Sequence, residues 1–281
     1  MSGLEIAPVT GALGAEIAGV DLSHELSNSE ATTIRQAWLD HKVVFFRDQK
    51  LTPSTQLRFA RLFGEPEVYP FIKGLDEAPE VTEILKTEQD AKNFGGSWHS
   101  DTSYMPEPAM GTVLYALETP ETGGDTMFAN TAAAYDALSD GMKRMLAGLV
   151  GVNSSDHGYA GGRAAGMARL DAMKGTYVAE SKSYVSEHPI VRTHPETGLK
   201  GLYIGRSHTV RFKDMTAAES KPLIDFLTDH IARPEFTCRF RWRPGSIAVW
   251  DNRATQHFAV NDYPGQRRRM HRIVLKGDRP R

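Results

Sequence analysis

Hydrophobic and polar residues alternate most clearly near the end of the chain. In FTCRFRWR, which runs from Phe236 to Arg243, apolar and polar side chains take every second position. This period of two is typical of a strand with one buried and one exposed face. The segments GSIAVWDN and RRMHRIVLKG follow, and we predict that they are two more strands around a loop. The C-terminal part of the chain is therefore predicted to form β-sheet.

Further strands and several helices are predicted upstream. The strands are expected within 4–20, at 42–47, 81–86, 109–117 and 125–130, and on both sides of the turn at 196–198. The helices are expected from the capping box of Ser27 and Glu30 to about residue 40, from Pro53 to Gly64, within 131–149 and over 216–232. Helices and strands do not alternate regularly. The pattern predicts a mainly β protein with flanking helices (α+β) and a double-stranded β-helix, or jelly-roll, core.

One long segment fits neither pattern. Residues 154–187 include HGYAGGRAAGM and hold few large apolar side chains. Long segments of this kind in a compact domain are often functional lids. We therefore predict a single domain over 1–281, with a mobile lid around 154–187.

Composition limits the classes of protein. The chain has 281 residues, of which 40% are hydrophobic and 24% charged, so it can bury a substantial core. A net charge of -2 does not indicate a nucleic-acid or membrane partner. The single cysteine, Cys238, permits no internal disulfide and favours a reducing compartment. The chain shows no signal peptide and no long apolar run, so we expect a cytoplasmic protein.

A candidate metal site begins in NFGGSWHSDTSYMPEP. His99 and Asp101 are two residues apart, so on an extended chain their side chains point to the same side. His257, in WDNRATQHF, is a third candidate. Two histidines and one carboxylate form the facial triad that leaves open positions on non-haem Fe(II). The chain has ten histidines, so the pair alone is a weak signal, and we interpret His188 and His194 as structural.

Two arginines indicate an anion site. On a strand over RRRMHRIVL, Arg268 and Arg272 share one face, while Arg267 and Arg269 share the other. If the first face points into the sandwich, two guanidinium groups enter an apolar interior and require anionic partners. Arginine binds carboxylates through two parallel hydrogen bonds, so small organic anions are the expected ligands. The alternative is a basic surface strand, which the overall charge does not favour.

The chain resembles the family of taurine dioxygenase and 2,4-dichlorophenoxyacetate dioxygenase, enzymes that depend on Fe(II) and 2-oxoglutarate. The segments that carry the resemblance are GALGAEIAGVDLS, HKVVFFRDQ, WHSDTSY, GGDTMFAN, HPIVRTHPETGLKGLYI, WDNRATQH and RRRMHRIVLKGD. The resemblance implies that His99, Asp101 and His257 bind iron. It further implies Fe(II), 2-oxoglutarate and dioxygen as cofactor and co-substrates, and we expect a homo-oligomer, either a dimer or a tetramer.

The same resemblance assigns the anion ligands. Thr126, in GGDTMF, and Arg268 would bind the far carboxylate of 2-oxoglutarate. Arg272 matches the family arginine that reaches toward the substrate anion or the co-substrate. The two arginines identified from strand parity are thus the two that the family uses.

The substrate pocket departs from that of the taurine enzymes. Their sulfonate-binding histidine is missing from GEPEVYPF, where Tyr69 is nearest, and His208 occupies the position of a family phenylalanine. Asn93 lies two residues further from the metal-binding pair than the pocket asparagine of those enzymes. Phe71 and Tyr104 flank the pocket segments, and each could instead be an ordinary core residue. We predict that Tyr69, Phe71, Asn93, Tyr104, His208 and Arg272 bind the substrate.

These departures argue against taurine itself. The expected substrate is a small organic anion, namely a sulfonate, an alkyl sulfate ester or an aryloxyalkanoate. It would be hydroxylated next to a heteroatom, with succinate and CO2 as co-products. Two alternatives remain at this point: a zinc-dependent hydrolase that uses the same three ligands, and a non-catalytic jelly-roll binding protein.

Overall fold

The computed structural model describes residues 3–157 and 183–281. The strands are β1 (Glu5–Pro8), β2 (Ala15–Ala18), β3 (Val43–Phe46), β4 (Pro66–Glu67), β5 (Gly74–Leu75), β6 (Ala78–Lys86), β7 (Gly111–Glu118), β8 (Thr126–Asn130), β9 (Val150–Ser154), β10 (Val185–Pro189), β11 (Val191–Thr193), β12 (Lys200–Leu202), β13 (Thr209–Phe212), β14 (Thr237–Phe240), β15 (Ile247–Asp251), β16 (Thr255–Ala259) and β17 (Arg268–Leu275). The helices are α1 (Asn28–His41), α2 (Pro53–Ala60), α3 (Thr131–Asp136), α4 (Asp140–Leu146) and α5 (Ala217–Ile231), with a short 3₁₀ turn at Pro234–Phe236.

A nine-stranded sheet forms one wall of the molecule. Its order is β1-β2-β3-β15-β7-β17-β6-β5, with β4 paired to β17 at the side. Only β2 and β3 run parallel, and the other neighbours are antiparallel. A second, three-stranded sheet has the order β14-β8-β16. Smaller sheets of β10-β9-β13 and β11-β12 complete the β structure described.

The main core lies between the nine-stranded and three-stranded sheets. Phe45 of β3 stacks on Phe240 of β14 with ring centroids 4.0 Å apart, and it lies 5.7 Å from the ring of Phe128 on β8. On the other side of the large sheet, Val44 and Phe46 pack in a second cluster with Trp38 of α1. Both faces of β3 are therefore buried, which explains its unbroken hydrophobic run.

The structure confirms the predicted mainly β fold. Strands are present in every segment where they were expected, and the capping boxes at Ser27 and Thr52 begin α1 and α2. In 236–243 the apolar residues are buried and Arg239, Arg241 and Arg243 are exposed, as the alternation predicted. No helix in residues 3–157 and 183–281 is long and apolar enough to cross a membrane.

One local prediction was wrong. The segment between β15 and β17 was expected to be a loop, yet it contains strand β16, which pairs with β8 from Thr255 to Ala259. Strands β9 and β13 were also not foreseen. The predicted lid at 154–187 falls mostly at 158–182, outside the described residues; its ends include Ser154 and Val185, which pair in an antiparallel register.

Candidate active site

The backbone places the two candidate histidines side by side. His99 and His257 form a β-bridge in which each N–H donates to the other's carbonyl, at 3.1 and 2.8 Å. Their imidazole rings are 4.2 Å apart. Asp101 follows in a turn, and its carboxylate reaches back to the same point, 3.7 Å from His99 Nε2 and 3.8 Å from His257 Nε2. The structure thus brings together the three residues that the sequence singled out.

The donor atoms of this cluster suit a divalent metal ion. His99 Nδ1 lies 2.7 Å from the main-chain oxygen of Ser97, which can only accept, so Nδ1 carries the proton and Nε2 is the unprotonated nitrogen that can bind a cation. One ligand atom from each of His99, Asp101 and His257 lies within 4.8 Å of the others. The distances of 3.7 and 3.8 Å from the two histidine Nε2 atoms to Asp101 Oδ1 are longer than hydrogen-bond distances. The cluster therefore fits Fe(II), with room for further ligands.

Electrostatics favour the metal-binding protonation states of Asp101 and His257. Burial raises the pKa of Asp101, but Arg272 and the two imidazoles outweigh burial and hold that pKa well below its usual range. Burial, together with the neighbouring His99, holds the pKa of His257 well below its usual value. A carboxylate and neutral imidazoles are the forms that bind metal ions.

Arg268 and Thr126 lie on facing strands next to this cluster. Arg268 is 5% exposed, and its Nε and Nη2 meet no hydrogen-bond partner among the described residues. Burial lowers the pKa of Arg268, so an anionic partner would be strongly favoured there. Thr126 Oγ1 accepts a hydrogen bond from Trp242 Nε1 at 2.9 Å. Since the indole N–H can only donate, the hydroxyl proton of Thr126 remains available for an anion.

Arg272 has a partner that the sequence did not reveal. Its Nη2 lies 2.7 Å from Asp101 Oδ1, and its guanidinium carbon lies 4.8 Å from the ring of Tyr69. Burial lowers the pKa of Arg272, but Asp101 raises it more, and the net shift is upward. Arg272 therefore touches the metal cluster directly, and binding of a substrate anion by this residue stays a prediction.

A single cleft connects these groups. It encloses about 440 Å³ including its open mouth, a volume in the range of small-molecule sites. Its polar lining consists of His99, Asp101, Thr126, His257, Arg268 and Arg272. The rest of the lining is Ile84, Phe94, Gly95, Leu114, Trp250 and Ala259. All six residues expected to bind metal or co-substrate thus open onto one space.

The predicted substrate residues form an aromatic chain behind Arg272. The ring of Phe71 lies 5.4 Å from Tyr69 and 5.8 Å from Tyr104, and Tyr104 lies 4.9 Å from His208. His208 Nδ1 and Ser103 Oγ share a hydrogen bond of 2.8 Å. These rings are buried and, apart from Tyr69 against Arg272, do not border the cleft itself. Their role in binding substrate remains a prediction.

Asn93 hydrogen-bonds the main chain at the end of β16. Its side-chain N–H groups donate to the main-chain oxygens of Ala259 and Val260, at 3.1 and 3.2 Å. It is not among the residues that line the cleft, whereas the adjacent Phe94 and Gly95 are. Asn93 therefore fastens the 93–96 loop to the end of β16, and its contact with substrate stays a prediction.

Three residues of the site were missed from the sequence. Trp242 donates a hydrogen bond to Thr126. Thr112 and Asn252 donate hydrogen bonds to the carboxylate of Asp101. A polar residue at the start of an apolar strand was the available signal for Thr112. Asn252 lies inside WDNRATQHF, and Trp242 lies on the buried face of the alternating segment.

Comparisons with known proteins agree with this geometry. The model of the family "Taurine catabolism dioxygenase TauD, TfdA family" matches residues 5–274. An alkylsulfatase of Acinetobacter baylyi is 39% identical over 98% of this chain and 86% of its own length. An alpha-ketoglutarate-dependent sulfate ester dioxygenase of Pseudomonas putida is 38% identical over 99% of this chain and 91% of its own. The crystal structure of a taurine dioxygenase from Burkholderia xenovorans has a TM-score of 0.82 at 36% identity, covering 99% of this chain and 92% of that one.

These matches span nearly the whole chain and confirm the family, fold and reaction class predicted from the sequence. They favour neither a zinc-dependent hydrolase nor a non-catalytic binding protein. The enzyme depends on Fe(II), 2-oxoglutarate and dioxygen. The chain therefore belongs to the TauD, TfdA family of dioxygenases.

Proposed function

We propose that this enzyme hydroxylates an alkyl sulfate ester at the carbon that bears the sulfate oxygen. The observation that carries the proposal is the single cleft onto which the metal cluster, Thr126 and both buried arginines open. The two relatives described above are named for alkyl sulfate or sulfate ester chemistry. Sulfonates and aryloxyalkanoates share the anionic head group and are the next substrates to compare.

Each polar group of the cleft has a proposed task. His99, Asp101 and His257 hold Fe(II) and leave its remaining positions open. Bound together, Fe(II) and 2-oxoglutarate supply the reductive activation of dioxygen, which yields succinate and CO2. Arg268 and Thr126 bind the far carboxylate of 2-oxoglutarate, which fixes its reactive end toward the metal cluster.

Arg272 is proposed to attract the substrate head group. Its guanidinium has Asp101 on one side and the ring of Tyr69 on the other, so it is held in place. An anion on its remaining edge would direct the adjoining carbon toward the metal cluster. Ile84, Phe94 and Leu114 line the cleft and offer apolar surface for the alkyl body. The predicted contacts of Tyr69, Phe71 and Tyr104 with substrate belong to the same proposal, with these rings packed behind Arg272.

The products follow from the position of the new hydroxyl. One oxygen atom of dioxygen enters the substrate C–H bond, and the other enters succinate. A hydroxyl on the carbon that bears the sulfate oxygen collapses to an aldehyde and releases sulfate. A hydrolase would instead release the alcohol.

A substrate panel tests this proposal. Hexyl sulfate, hexane sulfonate and an aryloxyacetate are compared with neutral analogues of matched length, with succinate, sulfate and carbonyl product measured. Hexyl sulfate should give aldehyde, sulfate and succinate in equal amounts, only when 2-oxoglutarate and dioxygen are present. Neutral analogues should bind at least about tenfold more weakly, and Arg272→Ala should remove that difference. Release of hexanol without 2-oxoglutarate, or equal turnover of neutral analogues, would contradict it.

A cytoplasmic location and a dimeric or tetrameric assembly are part of the same proposal. They rest on the family resemblance and the single cysteine.

A further inference from the structure

The two oxygens of the Asp101 carboxylate have different surroundings. Oδ1 faces His99, His257 and Arg272. Oδ2 accepts a hydrogen bond from Thr112 Oγ1 at 2.8 Å and another from Asn252 Nδ2 at 3.3 Å. We propose that Thr112 and Asn252 are positioning residues that hold Oδ2, so that Asp101 presents Oδ1 alone to the metal ion. This inference rests on the proposed metal site.

Hydrogen bonding permits only one orientation of the Asn252 amide. Its Oδ1 accepts from Trp250 Nε1 at 3.0 Å and from the main-chain N–H of Asp101 at 3.2 Å. Both partners can only donate, so the amide oxygen must face them and the amide NH2 must face the other way. The NH2 group then donates to Asp101 Oδ2 and to Thr112 Oγ1, each at 3.3 Å.

The orientation of the Thr112 hydroxyl follows from that of Asn252. Because Thr112 Oγ1 accepts from Asn252, its own proton is directed to Asp101 Oδ2. Thr112 and Asn252 are 0% and 1% exposed, so water does not compete for these hydrogen bonds. Asn252 also accepts a hydrogen bond from the main-chain N–H of Asp101. It therefore restrains both the backbone and the carboxylate of this residue.

The surrounding fold keeps this arrangement rigid. Thr112 lies on β7 directly opposite Trp250 of β15, in the middle of the large sheet. Asn252 follows β15 and is preceded by Asp251, whose carboxylate is bound by Arg253 and His194. Both residues therefore belong to elements that cannot shift without breaking the sheet or this ion pair.

The consequence concerns the number of open metal positions. A carboxylate that is free to turn can bind a metal ion through both oxygens, which would take a position needed by 2-oxoglutarate or dioxygen. Oriented outer partners of metal ligands typically change metal affinity by about 10- to 100-fold. Thr112 and Asn252 thus have a role in the reaction although neither lines the cleft.

The test measures metal binding without turnover. Mn(II) is titrated calorimetrically into metal-free protein, with no 2-oxoglutarate or substrate present. Thr112→Val should weaken Mn(II) binding by about tenfold or more, while Thr112→Ser, which keeps the hydroxyl, should stay close to the wild type. Asn252→Ala should also weaken binding, and the double variant should lose less than the product of the two single losses, because both act on one oxygen.

Two controls separate the outcomes. Thr228→Val removes a buried threonine hydroxyl that donates to the Ile224 carbonyl in α5, a helix that contributes no residue to the cleft, and should leave Mn(II) affinity unchanged. Asp101→Ala tests the proposed metal site itself, and wild-type affinity in that variant would overturn the site. If Asp101→Ala loses binding while Thr112→Val and Asn252→Ala both retain it, the positioning role is overturned. Should Thr112→Val not fold, Asn252→Ala decides in the same way.

Discussion

At the scale of single residues, Arg268 is the most direct test of the co-substrate site. Arg268→Ala should raise the KM for 2-oxoglutarate by about 30-fold or more, since a charge-assisted pair in a desolvated site is lost. The KM for the sulfate ester should change little. Arg269→Ala is the matched control, because Arg269 lies on the opposite face of β17 and pairs with Glu83 at 2.6 Å. Unchanged dependence on 2-oxoglutarate in Arg268→Ala would remove this residue from the site.

A second prediction concerns the effect of Trp242 on binding of the far carboxylate of 2-oxoglutarate. Trp242→Phe keeps a ring near Arg268, whose guanidinium carbon is 5.6 Å from the indole, but removes the N–H that orients Thr126. The dissociation constant of 2-oxoglutarate should rise by about 3- to 10-fold, as for the loss of one oriented hydrogen bond. In a Thr126→Val background the same change should have no further effect.

Trp38→Phe is the control for Trp242→Phe. Trp38 Nε1 is buried without a hydrogen-bond partner among the described residues, so Trp38→Phe removes an indole N–H without removing such a bond. Binding of 2-oxoglutarate should be unaffected in that variant. If Trp242→Phe weakens binding equally with and without Thr126, the indole does not act through this threonine.

The sequence predicted those features of single residues that follow from the local geometry of the chain. Strand parity was sufficient to place Arg268 and Arg272 on one face, because side chains alternate along any strand, and the structure shows that both are buried. The contact of Arg272 with Asp101 and the hydrogen bonds of Asn252 with Asp101 and Thr112 could not be predicted in this way. The two hydrogen bonds of Asn252 join residues 151 and 140 positions apart, and only the register of the sheets brings such residues together.

At the scale of elements, β16 shows where pattern analysis fails. Its first three residues, Thr255, Gln256 and His257, are polar yet 0%, 2% and 7% exposed. Buried polar residues of this kind conceal the alternation that marks an ordinary half-buried strand. Strand β16, which carries the metal-binding candidate His257, was thus hard to identify. Its buried residues are the polar ones that the site requires, whereas an ordinary strand buries apolar residues. By contrast, β3 is entirely apolar and β17 ends in the apolar run Ile273, Val274 and Leu275, and both strands were predicted correctly.

A buried ion pair links β15 to the hairpin of β11 and β12. Asp251 accepts hydrogen bonds from Arg253 and from His194 Nε2, whose Nδ1 accepts from the main chain of Glu196 and Thr197. Burial raises the pKa of Asp251, but Arg253 and His194 lower it more, to about 2. This confirms the structural role predicted for His194.

Asp251→Asn should therefore destabilise the protein in a pH-dependent way. At neutral pH the loss should be about 3–5 kcal/mol, because Arg253 is left buried with a weaker partner. The pKa is lower in the folded state than the reference value of 3.8, so this stabilisation is fully present above 3.8 and is lost as the pH falls toward 2. The difference in the free energy of unfolding between wild type and variant, measured by urea denaturation, should become smaller as the pH falls through this range. A constant difference would exclude ionisation of Asp251 as its cause.

At the scale of the whole molecule, the fold serves to bring distant segments onto one cleft. Thr126 lies on the small sheet, Arg268 and Arg272 lie on the large one, and His99 and Asp101 belong to the segment between β6 and β7. The sandwich of two sheets was predictable from the density of strands. Its pairing order was not, since strands far apart in sequence become neighbours, as β15 does with β3 and β7.

The central claim is that His99, Asp101 and His257 hold Fe(II) where 2-oxoglutarate can also bind. The most direct measurement is an anaerobic titration followed by visible absorption, in which the ternary complex of protein, Fe(II) and 2-oxoglutarate gives a weak charge-transfer band. The wild type should show this band only when both Fe(II) and 2-oxoglutarate are present. His257→Ala and Asp101→Ala should abolish it, and Arg268→Ala should shift it to higher 2-oxoglutarate concentration. A His257→Ala protein that keeps the full band and wild-type turnover would contradict the claim.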